Sequence, residues 1–245
     1  SALFDSLFGR DDLIGENPAT ATILPRFDEV RVLVVEDNPL NQEVALGYLE
    51  RLGINADLAA DGKAALTRAR EHPYDLILMD LHMPGMDGLE TTRRLRGLFT
   101  AEELPIVAMT AAAFQEDARQ AREAGMNDHL AKPITIQSLA KMLSRWLSVP
   151  VTGTTAIPTE QPVPDEQLPE AIGADPVLAE KVLQSFLRQY GERHKRPIPE
   201  EAPQRRHWLH TLKGTSATIG LNRLAALAQE AELSELEGRA MSPSA

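Results

Sequence analysis

At 245 residues the chain is long enough for one or two domains with real cores. Its formal net charge of −11 argues against nucleic acid or an anionic membrane as the main partner, because both select basic patches. With no cysteine it has no disulfide framework, no thiolate metal site and no Cys nucleophile. No apolar run approaches the ~18–20 residues of a membrane span, and no secretory signal stands at the start, so the expected compartment is the cytoplasm.

The chain begins abruptly. Ser1-Ala-Leu-Phe-Asp-Ser-Leu-Phe8 has the pattern of an amphipathic helix and no initiator Met, as a fragment of a longer protein would. Residues 1–29 are read as this upstream helix plus a linker carrying Pro18 and Pro25. A β/α alternation follows. Arg31 to Val35 is a buried strand, and Asn38-Pro39 opens a helix, with Asn38 as N-cap and Pro39 at the first position. The spacing then predicts a strand over 56–60, a helix over 62–71, a strand over 76–79 and a helix over 88–98. A strand over 105–109 ending in Thr110, a helix over 115–124, a short strand over 129–131 and a last helix over 135–147 complete the series. Strands separated by helices pair in parallel with right-handed crossovers. The expectation for residues 30–148 is therefore a five-stranded parallel doubly wound sheet, flavodoxin-like, with helices on both faces.

Residues 149–169 are rich in Pro, Thr, Gly, Glu and Gln and read as a flexible linker. From Asp175 the pattern is purely helical. Asp175-Pro176 caps a first helix with Val182, Leu183, Phe186, Leu187 and Tyr190 on its apolar face. A second helix, 204–219, buries Leu209, Leu212, Ser216 and Ile219. A third, 222–237, buries Leu224, Leu227, Ala231 and Leu236. Ser242-Pro243 starts a fourth, and the sequence stops. Residues 170–245 are expected to be an all-α bundle lacking its last helix, with an exposed apolar groove.

In a doubly wound sheet the strand ends lie side by side. Glu36 and Asp37 follow the first strand, Asp80 ends the third, Thr110 the fourth and Lys132 the fifth. Alone, each has an ordinary reading: a solvated loop, a cap, a surface charge. Together they form a set. Crowded carboxylates repel one another, so at least one pKa should rise. Mg²⁺ relieves that repulsion, binding few carboxylates and leaving positions for phosphate oxygens. Asp80 can then act as a nucleophile on phosphorus, with Lys132 and Thr110 serving other phosphoryl oxygens.

The runs Val32-Leu-Val-Val-Glu36-Asp37-Asn38, Met79-Asp80-Leu-His-Met-Pro84-Gly-Met-Asp87-Gly88, Met109-Thr110-Ala111 and Lys132-Pro133 resemble the receiver domain of bacterial response regulators. The resemblance implies that Asp80 is the phospho-acceptor. It implies that Glu36, Asp37, Asp80 and the backbone carbonyl of His82 hold Mg²⁺, and that Thr110 and Lys132 bind the phosphoryl group. The family usually carries Tyr or Phe three residues before the Lys; here His129 stands at this switch position. Two readings stay open for it: a switching imidazole that also responds to pH, or a half-buried ring with no signalling role. The side chains of His82 and His72 read as incidental surface groups. A haloacid-dehalogenase-type phosphatase wants a second Asp two residues after the nucleophile, and His82 stands there instead.

On the second bundle helix, His210 lies roughly 140° from the centre of the apolar stripe at 100° per residue, so it is expected to face solvent. Its helical neighbours include Arg206, Lys213 and Gly214. A mid-helix Gly costs up to ~1 kcal/mol against Ala, which close approach of another protein would offset. The run His210-Thr-Leu-Lys213-Gly214-Thr-Ser-Ala-Thr-Ile-Gly220 resembles the active helix of histidine-containing phosphotransfer (HPt) domains. The resemblance implies that His210 is phosphorylated, with Lys213 and Arg206 helping to hold the group. His207, also expected to be exposed, lies off the motif, and a zinc site from His207 and His210 lacks a third ligand.

The combination resembles the C-terminal part of a hybrid sensor histidine kinase without its ATP-binding catalytic domain. The implied partners are an upstream kinase histidine and a downstream response regulator, with no nucleic acid and no direct membrane contact. The implied function is a phosphorelay from Asp80 to His210. A docking module with an inert bundle is the alternative. The first residues resemble the last helix of an upstream receiver-like domain; a helical coil leaving a kinase domain is the competing reading.

Overall fold

The computed structural model describes residues 22–111, 115–147, 154–157, 176–190, 199 and 201–236. The upstream helix, the Asp175 cap and the fourth bundle helix at Ser242-Pro243 lie outside these residues.

The elements run β1 (Thr22–Pro25), β2 (Arg31–Val35), α1 (Pro39–Arg51), β3 (Asn55–Ala59), α2 (Gly62–Glu71), β4 (Leu76–Asp80) and α3 (Gly88–Arg96). They continue with β5 (Ile106–Ala111), α4 (Gln115–Glu123), β6 (Asp128–Lys132), α5 (Ile136–Trp146) and β7 (Thr154–Ile157). The helices α6 (Pro176–Tyr190), α7 (Ala202–Thr218) and α8 (Asn222–Leu236) follow. β2 to β6 form a parallel five-stranded sheet in the order β3-β2-β4-β5-β6. This is the flavodoxin-like arrangement expected. No helix among the described residues is long and apolar enough to cross a membrane.

Alternation along each strand sends residues to both faces of the sheet. Val32, Val34, Leu76, Leu78, Val107 and Met109 enter a core shared with α1 and α5. Leu33, Val35, Ile77, Met79, Ile106 and Ala108 enter the opposite core. Burial on both faces explains why these strands read as continuous apolar runs. The turns carry their own instructions. Asn38 caps α1, its side-chain oxygen accepting from the Leu40 N–H at 2.9 Å. Asp61 caps α2 and Asp87 caps α3, at 2.8 and 2.7 Å.

Both segments read as linkers contain structure. β1 and β7 pair antiparallel, from Thr22 opposite Ile157 to Pro25 opposite Thr154. β-Branched residues in each segment, Thr22-Ile23 and Thr154-Thr155-Ala156-Ile157, suit a strand despite their Pro-rich surroundings. The body of the first domain also starts before residue 30. Phe27 is fully buried, and its N–H donates to the Leu52 carbonyl at 2.8 Å.

Among the described residues, the apolar face of the first bundle helix is covered by the sheet domain. Leu178, Val182, Phe186, Leu212 and Ile219 join the same continuous core as α1. α6 packs antiparallel on α1, with Leu178 against Gly47 and Ser185 Oγ donating to Glu43 Oε1 at 2.8 Å. α8 is rotated from the expected face. Ala225 and Ala228 are buried, whereas Leu227 is 47% exposed. The small side chains let α8 lie close against α7, and the line 221, 225, 228, 232 becomes its inner stripe.

Asn38 joins the two domains. While capping α1 it also donates Nδ2–H to Thr215 Oγ1 on α7 at 2.6 Å. Asn38→Ala should cost about 1 kcal/mol in urea unfolding through the lost cap. Asn38→Asp should keep the cap but bury a further negative charge beside Glu36 and force the Thr215 hydroxyl to turn from acceptor to donor. It should destabilise the interdomain contact more than the sheet domain, read as faster hydrogen exchange in α7.

Candidate functional site

The ladders bring the distant motif residues to one edge. Val35 lies opposite Met79, Asp80 opposite Met109, and Ala111 opposite Lys132. Asp80 and Glu36 are almost completely buried, as is Thr110 at the end of β5. Oxygens of Glu36, Asp37 and Asp80 all lie within 4.8 Å of one another. Lys132 Nζ stands between two of them, 2.8 Å from Glu36 Oε2 and 3.0 Å from Asp80 Oδ2. Gly88 makes the turn possible: an added Cβ there would lie 2.2 Å from the Asp80 carbonyl oxygen.

Burial and then repulsion from Asp80 push the Glu36 carboxyl up to about 7, against the pull of Lys132. Burial also disfavours the Asp80 carboxylate, but Lys132 outweighs it and the net shift is downward. Burial opposes the Lys132 ammonium in turn, and the flanking carboxylates outweigh it and raise its pKa. One ammonium thus serves two of the three acids, and Glu36 is left only partly ionised near neutral pH. A hard dication with oxygen ligands fits that charge excess.

His210 does not face open solvent. Its side chain is only 15% exposed, held between Glu232 on the inner stripe of α8 and His82 of the sheet domain. Its ring lies against His82, with centroids 4.4 Å apart and planes at 42°. The side chain of His82 is therefore no incidental surface group, even though the residue keeps one side open. On the other side His210 Nδ1 lies 2.8 Å from Glu232 Oε1, and Lys213 Nζ lies 2.5 Å from Glu232 Oε2. A carboxylate can only accept, so Nδ1 carries a proton, and in the neutral ring the lone pair is on Nε2. Burial resists ionisation of Glu232, but the bonds from His210 and Lys213 outweigh it and hold its pKa at about 2.

An open cleft of about 550 Å³ runs between the domains here, lined by His82, Asp87, Asp117, Arg206, His207 and His210 among others. His207 is half-buried, with Nε2 3.2 Å from Asp37 Oδ2. That bond raises the His207 pKa, with burial working against it.

The structure thus brings Glu36, Asp37, Asp80, Thr110, Lys132 and the loop at His82 together and sets His210 against that loop. It does not bring His129 into the set. Its ring is 53% exposed beside Asp128. Lys213 is engaged by Glu232. Gly214 faces open space, since a Cβ there would meet no atom within 4 Å. Glu232 and the His207–Asp37 pair were missed. A Glu on the inner stripe of α8 was the available signal for the first, and the i, i+3 spacing of His207 and His210 for the second.

A doubly wound sheet with an acidic edge thus faces a helix that presents a carboxylate-oriented imidazole. The response regulator receiver domain family matches residues 32–144 and the Hpt domain family residues 181–243. The chain carries a receiver domain followed by an Hpt domain, the combination found in hybrid sensor kinases that act by phosphorelay.

The aerobic respiration control sensor protein ArcB of Escherichia coli K12 is 30% identical over 226 residues. That alignment covers 84% of this chain but 28% of ArcB, so the chain spans under a third of the relative's length. Sensor histidine kinase GacS of Pseudomonas protegens is 40% identical over 119 residues, 47% of this chain and 13% of that protein. Among solved structures, the receiver domain of sensor histidine kinase PA1611 from Pseudomonas aeruginosa PAO1, described with a magnesium ion in its active-site cleft, is 42% identical. It matches 49% of this chain and 98% of its own, with a TM-score of 0.46.

Glu232→Gln should keep the shape of this contact and lose its charge, costing on the order of 1 kcal/mol at neutral pH. The sign follows from the lowered pKa. The carboxylate stabilises the fold above its unfolded value near 4.5, and this stabilisation is lost as pH falls toward about 2. Acid unfolding followed by circular dichroism should therefore be shallower between these values in Glu232→Gln than in wild type.

Proposed function

We propose that Asp80 accepts a phosphoryl group from a kinase histidine and passes it to His210, which delivers it to a separate response regulator. The observation that carries this reading is the seating of His210 on the loop that follows Asp80, with Nδ1 bonded to Glu232 and Nε2 left as the nucleophile.

In the first transfer an Asp80 carboxylate oxygen attacks phosphorus and the P–N bond to the donor histidine breaks, giving an acyl phosphate. In the second, His210 Nε2 attacks phosphorus, the P–O bond to Asp80 breaks, and the carboxylate is restored. Glu232 retains the Nδ1 proton and stabilises the cationic ring that forms. Lys132 follows the phosphoryl oxygens, and Thr110 offers a hydroxyl from the end of β5. Glu36, Asp37, Asp80 and the backbone carbonyl of His82 would hold Mg²⁺, which supplies charge neutralisation at phosphorus. The excess of acid over the single Lys132 ammonium supports that fit. Transfer by positioning and charge needs no ATP site on this chain. The partners proposed are the histidine of an upstream kinase domain and a downstream receiver, in a cytoplasmic setting.

With a radiolabelled small phosphodonor and Mg²⁺, wild type should label at Asp80 first and at acid-labile, base-stable His210 afterwards. Asp80→Asn should lose both labels, His210→Gln only the second, and chelation of Mg²⁺ should abolish uptake. Uptake by Asp80→Asn, or without Mg²⁺, defeats the proposal. Label that stays on Asp80 in cis and in trans favours the docking reading.

A further inference from the structure

Gly47 sits in the middle of α1, a 13-residue helix. Glycine there is disfavoured against alanine, and the helix itself gives no reason for it. The explanation lies across the domain boundary. A Cβ on Gly47 would lie 2.7 Å from Leu178 Cδ1 and 2.9 Å from Leu178 Cδ2. The end of the leucine fills that space, so any side chain at 47 must displace the Leu178 methyls, a small one at little cost and a large one by pushing α6 away. Leu178 is 6% exposed and belongs to the core that runs through both domains. One turn away on α1 and two turns away on α6, Glu43 and Ser185 share a hydrogen bond of 2.8 Å. Shape and a polar pair thus fix one antiparallel register of α6 on α1.

We propose that Gly47 is a specificity notch by which this receiver accepts its own α6, with Leu178 as the inserted key. The receiver gives up helix stability at this position to admit one particular side chain, and a helix lacking a branched apolar group there leaves the notch unfilled. A volume change in a packed contact destabilises from either direction, by overpacking or by leaving a void. The notch holds donor and acceptor domains together and so deepens the relay reading. It rests on that reading only for its transfer readout, since docking is measured separately.

The test uses the full chain and four variants: Gly47→Ala, Gly47→Leu, Leu178→Ala and the swap Gly47→Leu/Leu178→Ala. Docking is read as hydrogen exchange of α6 amides, and transfer as passage of label from Asp80 to His210. Gly47→Leu should speed α6 exchange and slow transfer, each by at least about tenfold, with Gly47→Ala intermediate. Labelling of Asp80 by the small phosphodonor should be unchanged, which shows that the receiver is folded. The swap should recover part of both losses, because leucine then enters from the α1 side.

Unchanged exchange and transfer in Gly47→Leu would overturn the notch, as would a swap no better than the sum of its parts. So would an unprotected α6 in wild type. Protection that rises with protein concentration would overturn the assignment to the same chain and give the notch to a second copy. If exchange follows the expected pattern but no label reaches His210 in any variant, the relay reading fails and the notch stands.

Discussion

The structure depends on a crowding of charge. Three carboxylates meet at one edge of a parallel sheet, and one buried ammonium, Lys132, lies between two of them. Such a cluster is costly unless each charge has a partner. The protein meets the demand unevenly. Asp80 keeps its negative charge beside Lys132, and Glu36 is driven toward neutrality. The surrounding features serve this imbalance. Glu36 is held by the side chains of Asn41 and Lys132, and Gly88 lets the next loop close over Asp80. A group that adds negative charge at phosphorus, or a cation that removes it, meets a site already under electrostatic load.

The helical domain solves the opposite problem with similar means. An imidazole must be oriented yet remain reactive. Glu232 binds one nitrogen and is itself held by Lys213, so the ring is fixed by a chain of charged contacts at one end of α8. The other nitrogen is left to whatever lies across the cleft. In this arrangement the neighbour is the loop after β4, with His82 in ring contact.

Much of the sheet was legible because its strands are buried on both sides. Runs such as Val32-Leu-Val-Val and Leu76-Ile-Leu-Met leave little choice of element, and the parallel order then carries Glu36, Asp80, Thr110 and Lys132 to one edge. The bundle was less legible. Leucines at helical spacing suggested one face of α8, but alanines at 225 and 228 chose another by permitting closer approach to α7. The interdomain contacts left almost no trace. Asn38 looks like a cap and is one, and its second bond to Thr215 depends on a helix far along the chain. Gly47 in mid-helix is explained only by its neighbour across the domain boundary. Periodicity sent His210 to solvent, because a periodicity argument treats a helix as if nothing were packed on it.

The β1–β7 ladder has a topological consequence. It ties the strand that enters the receiver to the strand that leaves it. The domain is therefore a loop closed at its neck, not a bead through which the chain runs from one pole to the other. A displacement of the incoming segment reaches the outgoing one across a few backbone hydrogen bonds, without passing through the sheet. Thr22 and Ile157 are mechanical neighbours, although a whole domain separates them in sequence.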